Sequence, residues 1–175
     1  PSGDRIYRYT DKETEWEPPH SPDCTEEISH HIEKHIGPID MVYHEIISDA
    51  VHIDKHHVKP SEKWPFHTLI TSGMSDLPMH VPDNVDSTQY MELLVTLPKE
   101  WKTDHDSFQN EIWFWPIRML KFLSRFPHKY NTWFGSGHTI PNGDPAESFA
   151  ENTELNGIIL LLSPNVSQDF YDLRI

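Results

Sequence analysis

The sequence predicts an α+β domain whose sheet is mixed or mainly antiparallel, with about five to seven strands packed against helices. Three observations carry this. Tyr90 to Leu97 alternates with period two, placing Met91, Leu93, Val95 and Leu97 on one face and Tyr90, Glu92 and Thr96 on the other. Ile28, Ile32 and Ile36 recur at helical spacing. Extended and helical stretches alternate irregularly, without the strand–helix–strand repeat of a parallel sheet and without internal repeats.

Residues 1–22 are polar, mix both charge signs and end near Pro18-Pro19, which predicts a flexible arm with Tyr7, Tyr9 and Trp16 as docking points. The folded domain is expected over 23–175. Its first helix should run from Asp23 to Ile36: Asp23 caps it, Glu26 and Glu27 suit the positive end of the helix dipole, and Gly37-Pro38 stops it. Val42–Ile47 and Val51–Val58 read as strands joined at Ser48-Asp49, with Trp64–Thr71 as a third and Tyr90–Leu97 as a fourth. A second helix is expected from Pro116, with Pro127 ending it. Apolar Ile117, Met119, Leu120, Phe122, Leu123 and Phe126 cover most of its circumference, leaving Arg118, Lys121 and Arg125 as a narrow basic ridge. Trp133–Thr139 and Ile158–Leu162 should complete the sheet, the latter as a central strand because it is apolar on both faces.

Charge and composition exclude several classes. A formal charge of −14 opposes binding to phosphate backbones and favours basic partners, so no nucleic acid is expected. No apolar run reaches the roughly 18 residues of a membrane span. Cys24 is a lone cysteine, which excludes an internal disulfide and fits a reducing cytoplasm.

The 13 histidines invite a metal reading. His52, Asp54 and His56 alternate along one strand, a spacing that metal sites use, but neighbouring ligands would start roughly 7 Å apart. A third ligand would have to come from elsewhere, with His44 or His67 as candidates. His31 and His35 are one helical turn apart, yet Glu33 is not placed as the metalloprotease base requires. Ser75 and Ser136 lack the surroundings of a nucleophile elbow, and the seven glycines form no phosphate loop. Residue chemistry therefore calls for no cofactor and names no catalytic group.

Longer runs are more specific. Thr71-Ser-Gly-Met-Ser-Asp-Leu-Pro-Met79, Glu92-Leu-Leu-Val-Thr-Leu-Pro98, Trp115-Pro-Ile-Arg-Met-Leu120 and Asn131-Thr-Trp-Phe-Gly-Ser-Gly-His-Thr-Ile-Pro-Asn-Gly-Asp-Pro145 resemble the hallmark blocks of the suppressor-of-fused family, preceded by a similar block at Val42–Asp49. The likeness extends over nearly everything from residue 23 onward and is greatest to compact bacterial members. It implies a small α+β domain that is non-catalytic and binds other proteins. Animal members hold Gli transcription factors by gripping a short peptide between two halves, whereas bacterial relatives are associated with polymorphic toxin systems as immunity proteins. The resemblance, with the acidic charge, points to a basic toxin as partner and to Asp76, Trp115, Arg118, Arg125 and His138 near the contact surface. Gly137 stands where animal members carry an acidic residue. Bacterial relatives continue with a further strand and helix, so a domain without them would expose apolar surface or a sheet edge. Oligomeric state is not legible. The competing readings are a metal-dependent hydrolase built on His52, Asp54 and His56, and a regulatory domain of a larger protein.

Overall fold

A computed structural model describes residues 7–10, 23–44 and 52–173. Helix α1 (Thr25–His35) leads into strand β1 (Ile39–Tyr43), followed by β2 (Asp54–Val58), β3 (Phe66–Ser72) and β4 (Leu94–Pro98). These four strands pair in sequence order, each antiparallel to the next. Helix α2 (Glu111–Tyr130) follows, and β5 (Thr139–Pro141) pairs antiparallel with β6 (Gly157–Ile159) as a separate small sheet. The α+β expectation holds, with strands and two helices in one small domain.

The four-stranded sheet is covered on both faces, which explains why β2 is buried at all five positions despite being mostly polar. Ile70 and Val58 meet Ile28 and Ile32 of α1. Leu69, which points to the opposite face from Ile70, joins Ile117, Met119, Leu120 and Leu123 of α2 in the larger core. Two interior histidines are accommodated by pairing: His57 and His67 stack at 5.1 Å and share a 2.9 Å hydrogen bond between Nε2 and Nδ1. Burial, reinforced by His67, lowers the His57 pKa to about 4.

Several elements differ from expectation. The helix expected to begin at Pro116 and stop before Pro127 begins at Glu111 and runs through to Tyr130. Asn110 caps it, accepting from Ile112 N. Pro127 is fully buried one turn from the helix end, and its carbonyl accepts from Asn131 N in a left-handed C-cap (φ 49°). Packing thus offsets the backbone bond that the proline cannot make. The first of the hairpin strands is earlier than expected, at Ile39–Tyr43, and the turn at Ser48-Asp49 lies outside the described residues. Of Trp133–Thr139 only Thr139 is in a strand.

Ile158–Leu162 is not a covered central strand. Ile159 is 55%, Leu161 64% and Leu162 63% exposed. An apolar run without a period signals affinity for cover, and here three of its five residues are left uncovered by the described residues.

Residues 7–10, at the edge of the predicted arm, touch the domain. Tyr9 packs against Phe126 and Tyr130 with ring centroids 5.1 and 5.3 Å apart, and its hydroxyl is 3.0 Å from Thr132 Oγ1.

Candidate functional site

β4 is an edge strand: β3 pairs with one side of it, and no strand among the described residues pairs with the other. Beside that edge opens a cleft of about 1120 Å³. Tyr90 to Val95 form one wall and Gly157 to Ser163 the opposing one, while Ile28 and Ile32 of α1 and Met119, Leu120 and Leu123 of α2 line its depths. Its lining includes residues of both clusters that cover the sheet, Ile28 and Ile32 from one and Met119, Leu120 and Leu123 from the other.

Local structure sets each wall. Gly73, at φ 98°, turns the chain sharply after β3; a side chain there would meet the His52 carbonyl at 2.0 Å. The turn delivers Ser75 and Asp76 to the cleft. Ser75 donates its hydroxyl (2.6 Å) and backbone N–H (2.9 Å) to the Glu92 carboxylate, which also accepts from Thr71 Oγ1 at 2.6 Å. Burial raises the Glu92 pKa, and these three donors oppose the rise. The Ser75 hydroxyl is therefore engaged by a carboxylate rather than by an imidazole. Burial likewise raises Asp76, whose Oδ1 is buried without a hydrogen-bond partner.

On the far wall, Gly137 N donates to the Leu160 carbonyl at 2.7 Å, and Leu160 N donates to the His138 carbonyl at 2.9 Å. These bonds prolong the β5–β6 contact as far as Leu160. The floor carries an aromatic pair: Trp115 stacks on Phe149 with centroids 5.0 Å apart and planes 8° from parallel. Trp115 Nε1 is buried without a partner. At the α1 end, His31 Nε2 lies 2.9 Å from the Phe170 carbonyl and its ring stacks on Phe170, tying the 168–170 turn to the helix.

The residues expected at a contact surface divide as follows. Asp76 and Trp115 both line the cleft. His138 neighbours it through its backbone, while its ring meets Trp133 at 4.5 Å. Arg118 is outside the lining, bonded to Glu111 and to the Phe149 carbonyl. Arg125 is also outside it, and burial lowers its pKa. The basic ridge on α2 is thus dispersed among contacts within the fold. Sequence reasoning did not anticipate Leu155, Leu160, Leu161, Leu162 or Tyr90 as cleft residues. Leu160, Leu161 and Leu162 belong to an apolar run legible in the sequence, but its exposure is not.

The expected metal triad is not assembled as written. His52 and Asp54 meet, with His52 Nε2 3.0 Å from Asp54 Oδ1. His56 is buried and faces Ser72 Oγ at 2.8 Å, so alternation along the strand does not bring it to them. His44 takes its place, with Nδ1 2.9 Å from Asp54 Oδ2.

Fold and cleft together define a class: a small α+β domain that presents an open, largely apolar groove. The sequence model of the suppressor of fused protein (SUFU) family matches residues 49–175, and the chain belongs to that family. Membership supports a protein-binding role of the suppressor-of-fused type and a protein as partner. Neither a curated protein nor a solved structure gives a match. No helix among the described residues is long and apolar enough to cross a membrane.

Proposed function

We propose that this domain acts in the cytoplasm by contact, as a non-catalytic immunity protein that binds and neutralises a cognate basic toxin. The observation that carries the binding reading is the cleft beside β4. Its far wall leaves Ile159, Leu161 and Leu162 more than half exposed, and an apolar surface of that kind is stabilised by a partner. The sheet edge supplies backbone donors and acceptors, so an extended segment of the toxin adds as a strand while its side chains fill the groove. The charge of −14 steers a basic protein toward it and makes the encounter salt-sensitive. Asp76 and Trp115 anchor the segment inside the cleft, with His138 at its margin; Arg118 and Arg125 serve the same surface by holding α2 and the Phe149 loop in place.

The test is co-production with the product of an adjacent toxin-like reading frame. Growth rescue by the wild type, lost on Leu161→Glu, supports the reading. Absence of any complex between the purified pair overturns it. A longer reading frame whose continuation fills the cleft would move the partner surface away from β4, and rescue would then be insensitive to Leu161→Glu.

A further inference from the structure

We propose that His44, His52 and Asp54 form a binding site for one divalent transition-metal ion of the zinc class. The two imidazoles approach from the two ends of the segment that joins β1 to β2, His44 directly after β1 and His52 two residues before β2. Between them Asp54, only 5% exposed, directs one carboxylate oxygen at each ring: Oδ2 to His44 Nδ1 at 2.9 Å and Oδ1 to His52 Nε2 at 3.0 Å. The three ligand atoms all lie within 4.8 Å of one another. Zinc bonds of about 2.0–2.2 Å in a tetrahedron place ligand atoms roughly 3.3 Å apart. Admitting the ion therefore asks the two exposed imidazoles to back away from Asp54 by a few tenths of an ångström and, from a separation of up to 4.8 Å, to close on one another, while the buried carboxylate keeps its position.

The donor set suits this class of metal. Two borderline imidazole nitrogens beside one carboxylate oxygen form a set that zinc accepts, whereas calcium and magnesium favour all-oxygen shells. The electrostatic surroundings favour a cation: Asp23 and Asp76 both lie close enough to His52 to interact with its charge. Lys55, a buried cation next to Asp54 in sequence, donates its ammonium to the Ile53 carbonyl at 3.0 Å. Three protein ligands leave a fourth position for water. Bound there, the ion joins the residue that follows β1 to the start of β2. Nothing in this site depends on the cleft reading, since the two surfaces share no ligand.

Chelator-stripped protein titrated with zinc chloride by calorimetry tests the site. The wild type should take up one equivalent, and its melting temperature should rise with added zinc. His44→Gln and His52→Gln change exposed rings and leave the fold intact; each should weaken zinc binding roughly 10-fold or more and abolish the thermal shift. The control is the double variant His31→Gln with His35→Gln, whose rings lie 4.5 Å apart on α1 and offer a rival chelating pair. It should bind zinc as the wild type does, and cobalt in place of zinc should give the visible absorption of a tetrahedral site. Absence of saturable binding overturns the proposal. So does undiminished binding by His44→Gln and His52→Gln, or a loss confined to the His31/His35 control.

Discussion

His57 makes the interior of the sheet acid-sensitive by a calculable amount. Its ring is 1% exposed, stacked between Tyr43 and His67, and burial lowers its pKa from the usual 6.5 to about 4. Between those two values the unfolded chain takes up a proton that the folded chain refuses. Stability attributable to this group is therefore complete above pH 6.5, falls as pH drops from 6.5 to 4, and levels off below. Going from pH 7 to pH 5 removes about 2 kcal/mol through His57 alone. With a urea slope of about 2 kcal/mol per molar, the unfolding midpoint should move down by roughly 1 M. His56, His67 and His128 are also lowered by burial, so they add to the total and remain in any single variant. The clean comparison is His57→Phe, which keeps a ring in the stack and removes the titrating group. Its absolute stability will fall because His67 Nδ1 loses its partner. The informative quantity is the difference between pH 7 and pH 5, which should shrink by about 2 kcal/mol relative to wild type. Equal pH dependence in the two proteins would refute the claim that a neutral, buried His57 opposes acid.

Gly73→Ala should be among the most damaging conservative changes, because the added carbon would sit 2.0 Å from the His52 carbonyl at a φ of 98°. A loss of about 3 kcal/mol is expected, seen as a melting temperature lower by roughly 6–12 °C; an unchanged melting curve would contradict the turn. Leu161→Glu, at a 64% exposed position, should alter stability by less than about 0.5 kcal/mol while weakening toxin binding at least roughly 10-fold, a contrast read by pairing thermal melts with calorimetry. Tyr9→Ala should cost about 1 kcal/mol in urea unfolding through its lost contacts with Phe126 and Tyr130, and no change would show that residues 7–10 contribute nothing to the fold.

How far the sequence carried the fold is seen element by element. Ile28 and Ile32 identified the buried side of α1 because helical spacing and flanking signals agreed. Leu93 and Leu97 are buried as period-two alternation requires. Failures arose where tertiary packing decides. Pro127 reads as a stop, yet complete burial of its ring carries α2 past it. Ile158 to Leu162 reads as interior because apolarity signals affinity for cover, without saying whether the domain itself supplies that cover. The same limit applies to the site. Asp76 and Trp115 were found through family blocks, but Arg118 and Arg125 are drawn into contacts that no spacing reveals. His44 and His52 flank a chain reversal, so their meeting depends on hairpin register, whereas His56 was implicated only by strand alternation.

Hydrogen–deuterium exchange of the domain with and without the proposed toxin partner tests the cleft most directly. Strong protection at residues 90–95 and 157–163, with little change along the β1–β2 connection, is the predicted pattern. A complex that forms while both of those walls exchange as fast as in the free domain would place recognition elsewhere and contradict the account.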